Sequence, residues 1–196
     1  MLAAREPVTL RALVEGTGAS TMAVYTHFEG MPGLWRAVRQ EGFTRLARRL
    51  ESVEATADPV RDLMALGGAY VASALADPDL YRTMFDAVAD LEDRQVADAT
   101  FGVLVAGADR ARREGRFAGS TDPAAVALRL WAFGHGLTML VLTGVLPSRA
   151  LDEHVPAMAT ALFVASGDEP TRCRASVDQG WLAAAVTSAP AVGGPA

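Results

Sequence analysis

The feature that most constrains the fold is a near absence of strand signals, combined with Asp-Pro dipeptides that divide the chain. No sustained apolar/polar alternation occurs, and no Asn-Gly or Asp-Gly hairpin lies between β-branched runs. An Asp before a Pro can cap a helix whose first residue is that Pro, where the missing N–H costs nothing. Three such pairs are Asp58-Pro59, Asp77-Pro78 and Asp122-Pro123, and further cap candidates are Thr9, Ser20 and Asp152. The sequence therefore predicts an all-α fold.

Apolar periodicity between these caps predicts eight helices. They span about 9–15, 20–26, 32–54, 59–75, 79–88, 91–114, 123–146 and 152–166. The domain organisation that we expect is a DNA-binding head over 1–50 and a helical body over 51–170. A weakly structured tail is predicted over 171–196, because its last nine residues are rich in Pro and Gly.

Composition bounds the class of protein. The chain has 196 residues, of which 51% are hydrophobic and 21% charged, as expected for a globular protein. A single cysteine, Cys173, excludes an internal disulfide framework, and the N-terminus has no apolar signal core, so we expect a cytoplasmic location. A Gly-rich phosphate loop, His-Glu-x-x-His and Gly-x-Ser-x-Gly are all missing from the sequence. We therefore expect no enzyme activity, no cofactor and no metal.

Charge is distributed unevenly along the chain. The net charge is −5, and all 18 basic residues are arginine. Residues 1–50 hold seven Arg and four Glu, whereas residues 51–196 hold 11 Arg and 19 acidic residues. A basic head on an acidic body suggests that the head meets an anionic partner.

The segment 9–28 has the plan of a helix-turn-helix. Leu10, Leu13 and Val14 share one helical face, and the glycines at 16 and 18 allow a tight turn. Ser20 can then cap a second short helix. In a helix-turn-helix, this second helix lies in the DNA major groove. On pattern alone, two short helices with a glycine turn also occur in bundles that bind no DNA.

The run from Ala19 to Phe28, followed by Leu34, resembles the recognition helix of TetR-family transcriptional regulators. The Tyr-Thr-His-Phe sequence over 25–28 is its most specific part. The resemblance covers about residues 1–50.

The resemblance implies a role for each residue of this segment. Thr9 and Arg11 would reach DNA phosphates, and the start of the second helix would face the groove. Val24 and Phe28 are expected in the core of the head. The DNA-binding residues that we predict are Thr9, Arg11, Ser20, Thr21, Met22, Ala23, Tyr25, Thr26 and His27.

The sequence departs from the family pattern in two places. Met31 stands where the family usually has Lys before the next helix, and Pro32 follows it. The family also has a full helix before the motif, whereas only its last turn, over 2–5, is found here. The first helix is therefore expected to be truncated, which would weaken the head.

The segment 123–146 is almost wholly apolar, and from Leu130 to Leu146 only His135 can carry a charge. Arg129 and the Gly-His-Gly sequence over 134–136 argue against a membrane span, so no membrane partner is expected. A helix that is apolar all round is otherwise buried on all sides. We therefore predict a homodimer through 123–166, as in TetR-like regulators. The predicted interface comprises Leu140, Met158, Leu162 and Phe163.

The sequence from Trp131 to Gly136 resembles the Trp/His/Gly (WHG) subclass of TetR C-terminal domains. His135 is either a polar anchor for a ligand or a buried histidine bonded to a backbone carbonyl. The predicted ligand-binding residues are mainly apolar, as in most small-molecule sites. They are Tyr70, Met84, Phe85, Phe101, Trp131, His135 and Met139.

These patterns predict a transcriptional regulator, in particular a repressor. A homodimer would bind a palindromic double-stranded DNA operator, and a small-molecule effector would release it. The alternative is a helical ligand-binding and dimerisation protein whose truncated head no longer binds DNA.

Overall fold

The computed structural model describes residues 9–86, 91 and 93–188, and every regular element in those ranges is a helix. The expected last turn of a truncated first helix, at 2–5, lies outside these ranges, as do residues 87 and 88 of the predicted helix 79–88. The helices are α1 (Leu10–Val14), α2 (Thr21–Phe28), α3 (Met31–Glu51), α4 (Pro59–Ala76), α5 (Pro78–Asp86), α6 (Arg94–Arg113), α7 (Pro123–Leu142), α8 (Arg149–Ala165) and α9 (Pro170–Ser188). The predicted all-α class is confirmed.

The Asp-Pro pairs start three helices as the sequence predicts. The Asp58 carboxylate accepts hydrogen bonds from the Val60 and Arg61 amides at 3.0 and 3.1 Å. Asp122 accepts from the Ala124 amide at 2.9 Å, and Asp77 accepts from the Leu80 amide at 3.1 Å. These bonds satisfy amides that have no partner within their own helix.

Asp152 does not cap a helix, contrary to prediction. α8 begins at Arg149, so Asp152 lies within its first turn. Its carboxylate instead accepts a hydrogen bond from the Trp181 indole N–H at 3.0 Å.

The predicted weakly structured tail is wrong over 171–188, because α9 occupies these residues and lies along α4. Cys173 and Val177 are fully buried there. Glycines permit the close approach: a Cβ on Gly180 would overlap the Arg61 carbonyl oxygen, and one on Gly68 would lie 2.5 Å from the Ala184 Cβ. Residues 189–196 of the predicted tail lie outside the described ranges.

α3 connects the head to the body as one continuous helix. Its C-terminal half buries Phe43, Leu46 and Leu50 in the core of the body. The predicted boundary at residue 50 therefore falls where α3 is already packed against the other body helices. One unbroken helix therefore links the packing of the body to the head.

A buried ionic cluster joins the start of α4, the α6–α7 connection and α9. The Arg116 guanidinium donates to both carboxylate oxygens of Asp168, at 2.8 and 2.7 Å, and to Asp58 at 2.5 Å. Ser176 donates to the other oxygen of Asp58 at 2.6 Å. Burial alone would raise the pKa of Asp168, but its hydrogen bonds and the charge of Arg116 lower it below its usual value.

α7 is long and apolar enough to cross a membrane by length and composition. In the fold, one face of the helix is packed into the body through Val126, Leu130 and Leu137. Another face remains exposed, and its residues are considered below.

Candidate DNA-binding head and ligand site

α1 and α2 form the two helices of a helix-turn-helix, each started by a hydroxyl cap. Thr9 Oγ1 accepts from the Ala12 amide at 3.3 Å, and Ser20 Oγ accepts from the Ala23 amide at 3.1 Å. Between the helices, Gly16 and Gly18 have φ of 76° and 74°. That left-handed conformation favours glycine, so the local sequence fixes the turn.

α2 has two distinct faces. Val24 is buried, as predicted, and α2 packs on α3. On the other side, the Met22 and Tyr25 side chains are 70% and 57% exposed. The predicted DNA-binding residues are all exposed except Ala23, which is half-buried: Thr9, Arg11, Ser20, Thr21, Met22, Tyr25, Thr26 and His27. The fold therefore leaves the expected surface open to a partner.

The junction between α2 and α3 is tightly packed. Glu29 and Gly30 both adopt positive φ, 57° and 99°, where the chain leaves α2. A Cβ on Gly33 would overlap the Phe28 carbonyl oxygen, so only glycine fits at this point of α3. The Tyr25 ring packs against Gly30, because a Cβ on Gly30 would lie 3.3 Å from it.

Most of the predicted ligand-binding residues meet in one aromatic cluster. The Phe85 ring lies 4.5 Å from His135 and 6.3 Å from Trp131, measured between ring centroids. Phe101 lies 6.0 Å from Trp131. These side chains are packed directly on one another, and they bring α5, α6 and α7 together.

Tyr81 is the member that sequence reasoning missed. Its hydroxyl lies 2.6 Å from His135 Nδ1 and 2.7 Å from the Tyr70 hydroxyl, which is itself 2.9 Å from the same nitrogen. A neutral imidazole protonated at Nε2 accepts at Nδ1. His135 is thus bonded to tyrosines rather than to a backbone carbonyl. Tyr81 could have been predicted from its spacing, because it lies three and four residues before Met84 and Phe85 and so shares their helix face.

Burial governs titration in this cluster. Desolvation raises the pKa of Tyr70 to about 12 and also raises that of Tyr81, so both hydroxyls stay protonated at neutral pH. Desolvation lowers the pKa of His135 below its ordinary value. The cluster is therefore an uncharged network of hydrogen-bonding groups inside an aromatic wall.

A groove of about 660 Å³ opens between α3, α4, α5 and α9, next to the aromatic cluster. Tyr81 belongs to both the cluster and the groove wall. Met84 is the one predicted ligand-binding residue that lines this groove. The other six, Tyr70, Phe85, Phe101, Trp131, His135 and Met139, do not line it.

α7 and α8 expose neighbouring apolar stripes. On α7, Leu128 and Leu140 are 52% and 42% exposed, and Ala132 and Gly136 lie between them at four-residue spacing. On α8, Met158 is exposed, and so are Ala157 and Ala161.

Two of the predicted interface residues lie inside the chain's own core instead. Phe163 is fully buried, with its ring 5.5 Å from that of Phe117, and Leu162 is also buried. The apolar spacing of α8 could not separate its inward face from its outward face, because both carry apolar side chains.

A helix-turn-helix head joined by one long helix to an all-helical body is an architecture suited to a DNA-binding regulator. Residues 63–165 match the family described as tetracyclin repressor-like, C-terminal domain. This match spans just over half of the chain. The protein therefore belongs to the tetracyclin repressor-like, or TetR, family, as its sequence indicated. The Trp/His/Gly subclass stays a prediction.

Two solved structures share the fold. A protein of unknown function from Rhodococcus sp. RHA1 is 29% identical, with a TM-score of 0.70 over 82% of this chain and 86% of that one. PfmR, a TetR family transcriptional regulator from Thermus thermophilus, is 18% identical, with a TM-score of 0.65 over 83% of this chain and 90% of that one. No curated protein matches the chain significantly.

Proposed function

We propose that the protein is a cytoplasmic repressor that binds a palindromic DNA operator as a homodimer and leaves it when a small-molecule effector binds. The single observation that carries this proposal is the exposed face of α2, presented by a hydroxyl-capped helix after a glycine turn. Thr21 and Met22 lie at the helix start, where base edges are read, and Tyr25 lies one turn later. The PfmR structure, from a TetR family transcriptional regulator, supports the same class.

The homodimer is proposed from the apolar stripes of α7 and α8. Exposed Leu128, Leu140 and Met158 lie on adjacent helices that pack on each other within the chain. Two copies of such a pair form a four-helix contact, and a two-fold symmetric dimer matches a palindromic operator.

The effector acts through α3 in this proposal. α3 begins in the head, against α2, and ends in the core of the body. An effector that binds one position of α3 more tightly than another shifts the spacing of the two heads. The aromatic cluster around His135, which the sequence predicted as the ligand site, is closely packed, so in this proposal it borders the effector site through Tyr81 rather than holding the effector itself.

Titration of fluorescent duplex DNA tests the operator-binding function. The duplex comes from the region upstream of the protein's own gene, and a shuffled duplex of equal length and composition is the control. We expect the genuine duplex to bind at least about a hundredfold more tightly at the same salt concentration. Equal affinity for the two duplexes would instead favour the alternative function, a ligand-binding and dimerisation protein without operator recognition.

A further inference from the structure

The groove between α3, α4, α5 and α9 has the volume and the mainly apolar walls that small-molecule sites share. Its volume of about 660 Å³ lies within the range of roughly 300–1,000 Å³ that is typical of small-molecule sites. Its walls are mainly apolar, with Leu46, Val71 and Leu80 among the lining side chains. Leu75 also lines the groove, with 44% of its surface exposed.

The charged groups that line the groove are balanced in sign. Arg45 and Arg49 come from α3, whereas Asp77 and Asp152 come from the facing elements. Arg45 donates to Glu41 at 2.8 Å, and Asp152 accepts from the Trp181 indole. A charged ligand entering here would gain no net attraction and would lose its hydration. The charge balance therefore favours an uncharged ligand.

One neutral polar group is available among the apolar walls. The Ser73 hydroxyl donates its hydrogen to the Ala69 carbonyl at 3.0 Å, which leaves its oxygen as an acceptor. Ser73 lines the groove and is half-buried. A ligand with an apolar body and one hydroxyl or amide donor would complement this wall.

We propose that this groove is the effector site of the protein and that it takes an uncharged, elongated apolar molecule with one hydrogen-bond donor, such as a long-chain alcohol. Gly42, Arg45, Leu46 and Arg49 place α3 along one wall. A bound molecule therefore pushes directly on the helix that carries the head. This regulatory part rests on the proposed repressor function, whereas the binding site stands on the groove alone.

The site is tested by calorimetric titration of the full chain, without DNA, with three probes of equal chain length. The probes are decan-1-ol, below its solubility limit, and decanoate and decyltrimethylammonium, below their critical micelle concentrations. We expect decan-1-ol to bind best and to change the tryptophan fluorescence of the chain, because Trp181 lines the groove. Preference for either ion, or no binding of any probe, overturns the proposal.

Matched variants locate the site. Ala72→Phe places a ring in the groove from a half-buried position on α4, and Ala175→Phe adds the same ring on the exposed side of α9. We expect Ala72→Phe to weaken decan-1-ol binding at least about tenfold and Ala175→Phe to leave it unchanged. If Ala72→Phe is misfolded by circular dichroism, Ala76→Phe at the exposed end of α4 replaces it. Equal affinities in the filled and control variants overturn the assignment.

The regulatory part has a separate readout. Decan-1-ol should weaken operator binding by the wild-type chain and leave the Ala72→Phe variant unaffected. Binding in the groove with no change in operator affinity overturns the effector role. Failure of the ligand-free chain to recognise its operator overturns the repressor function instead, so the two failures are distinguishable.

Discussion

The proposed DNA binding assigns different tasks to two residues of α2. Tyr25→Phe removes one hydroxyl from an exposed ring, so we expect affinity for all DNA sequences to fall alike, by about 1 kcal/mol. Thr21→Ala changes the helix start that faces base edges and should alter the preference among operator variants. Titrations against a set of single-base operator variants measure both effects. The assignment fails if both variants keep wild-type affinity and preference.

His135 gives the stability of the fold a dependence on pH. Its pKa is lowered in the folded chain, so between that value and about 6.5 the unfolded chain binds more protons than the folded one. The free energy of unfolding should therefore fall as pH drops below about 6.5. The Tyr70 and Tyr81 hydroxyls stay protonated throughout this range because burial raises the pKa of both.

Urea unfolding between pH 5 and 7 measures this dependence. His135→Gln should flatten the profile, whereas His154→Gln, at an exposed position on α8, serves as the matched control. An unchanged slope in His135→Gln would contradict the assignment.

Among the elements, α9 depends on the ionic cluster at Arg116. The Asp168 carboxylate is completely buried, and Arg116→Met leaves it with a single cationic partner, the more exposed Arg172 at 3.2 Å. Loss of one partner of a buried pair typically costs about 3–5 kcal/mol of unfolding free energy. Urea unfolding at pH 7 measures the loss. Arg112→Met is the control, because its partly exposed pair with Asp109 is worth at most about 1 kcal/mol.

Helix starts were predictable from the sequence because their causes are local. An Asp before a Pro caps a helix whatever surrounds it, and Asp58, Asp77 and Asp122 do so here. α9 was not predictable in this way. Its buried face carries Cys173, Val177 and Ala184 at helical spacing, but these side chains are small and Ser176 and Gly180 lie among them, so the apolar pattern is weak. They suit close approach to α4, which depends on tertiary structure.

The site was predictable in part for the same reason. Tyr70, Phe85, Trp131 and His135 share an aromatic character that the sequence shows, and they meet in the fold. The groove itself depends on how α3 and α9 are placed relative to α4, and no local pattern encodes that placement. Phe163 was wrongly predicted at the dimer interface, because a chain's own core and a dimer interface both favour large apolar side chains.

At the scale of the whole molecule, the proposal to be tested is association through α7 and α8. Leu140→Asp puts a charge on the exposed apolar stripe. A dimer would bury this charge without an opposite charge to pair with it. We expect the wild-type chain to be a dimer and Leu140→Asp a folded monomer. Sedimentation velocity at micromolar concentration measures both.

Leu182→Asp is the matched control for this test, because Leu182 is a more exposed leucine on α9, away from the two stripes. It should stay dimeric. A monomeric wild-type chain would end the dimer hypothesis, and with it the match to a palindromic operator.

The glycine at position 33 limits where the DNA-binding head of one family member can be joined to the body of another. α2 and α3 pack there without room for a methyl group, so α2 cannot rotate independently of α3. A hybrid protein that keeps its DNA specificity should therefore be joined within α3, beyond Gly33, rather than in the short loop between the two helices. A junction in the loop would pair α2 of one protein with α3 of another, and their packed surfaces would not match. Such a hybrid should fold but hold α2 in the wrong orientation for DNA binding.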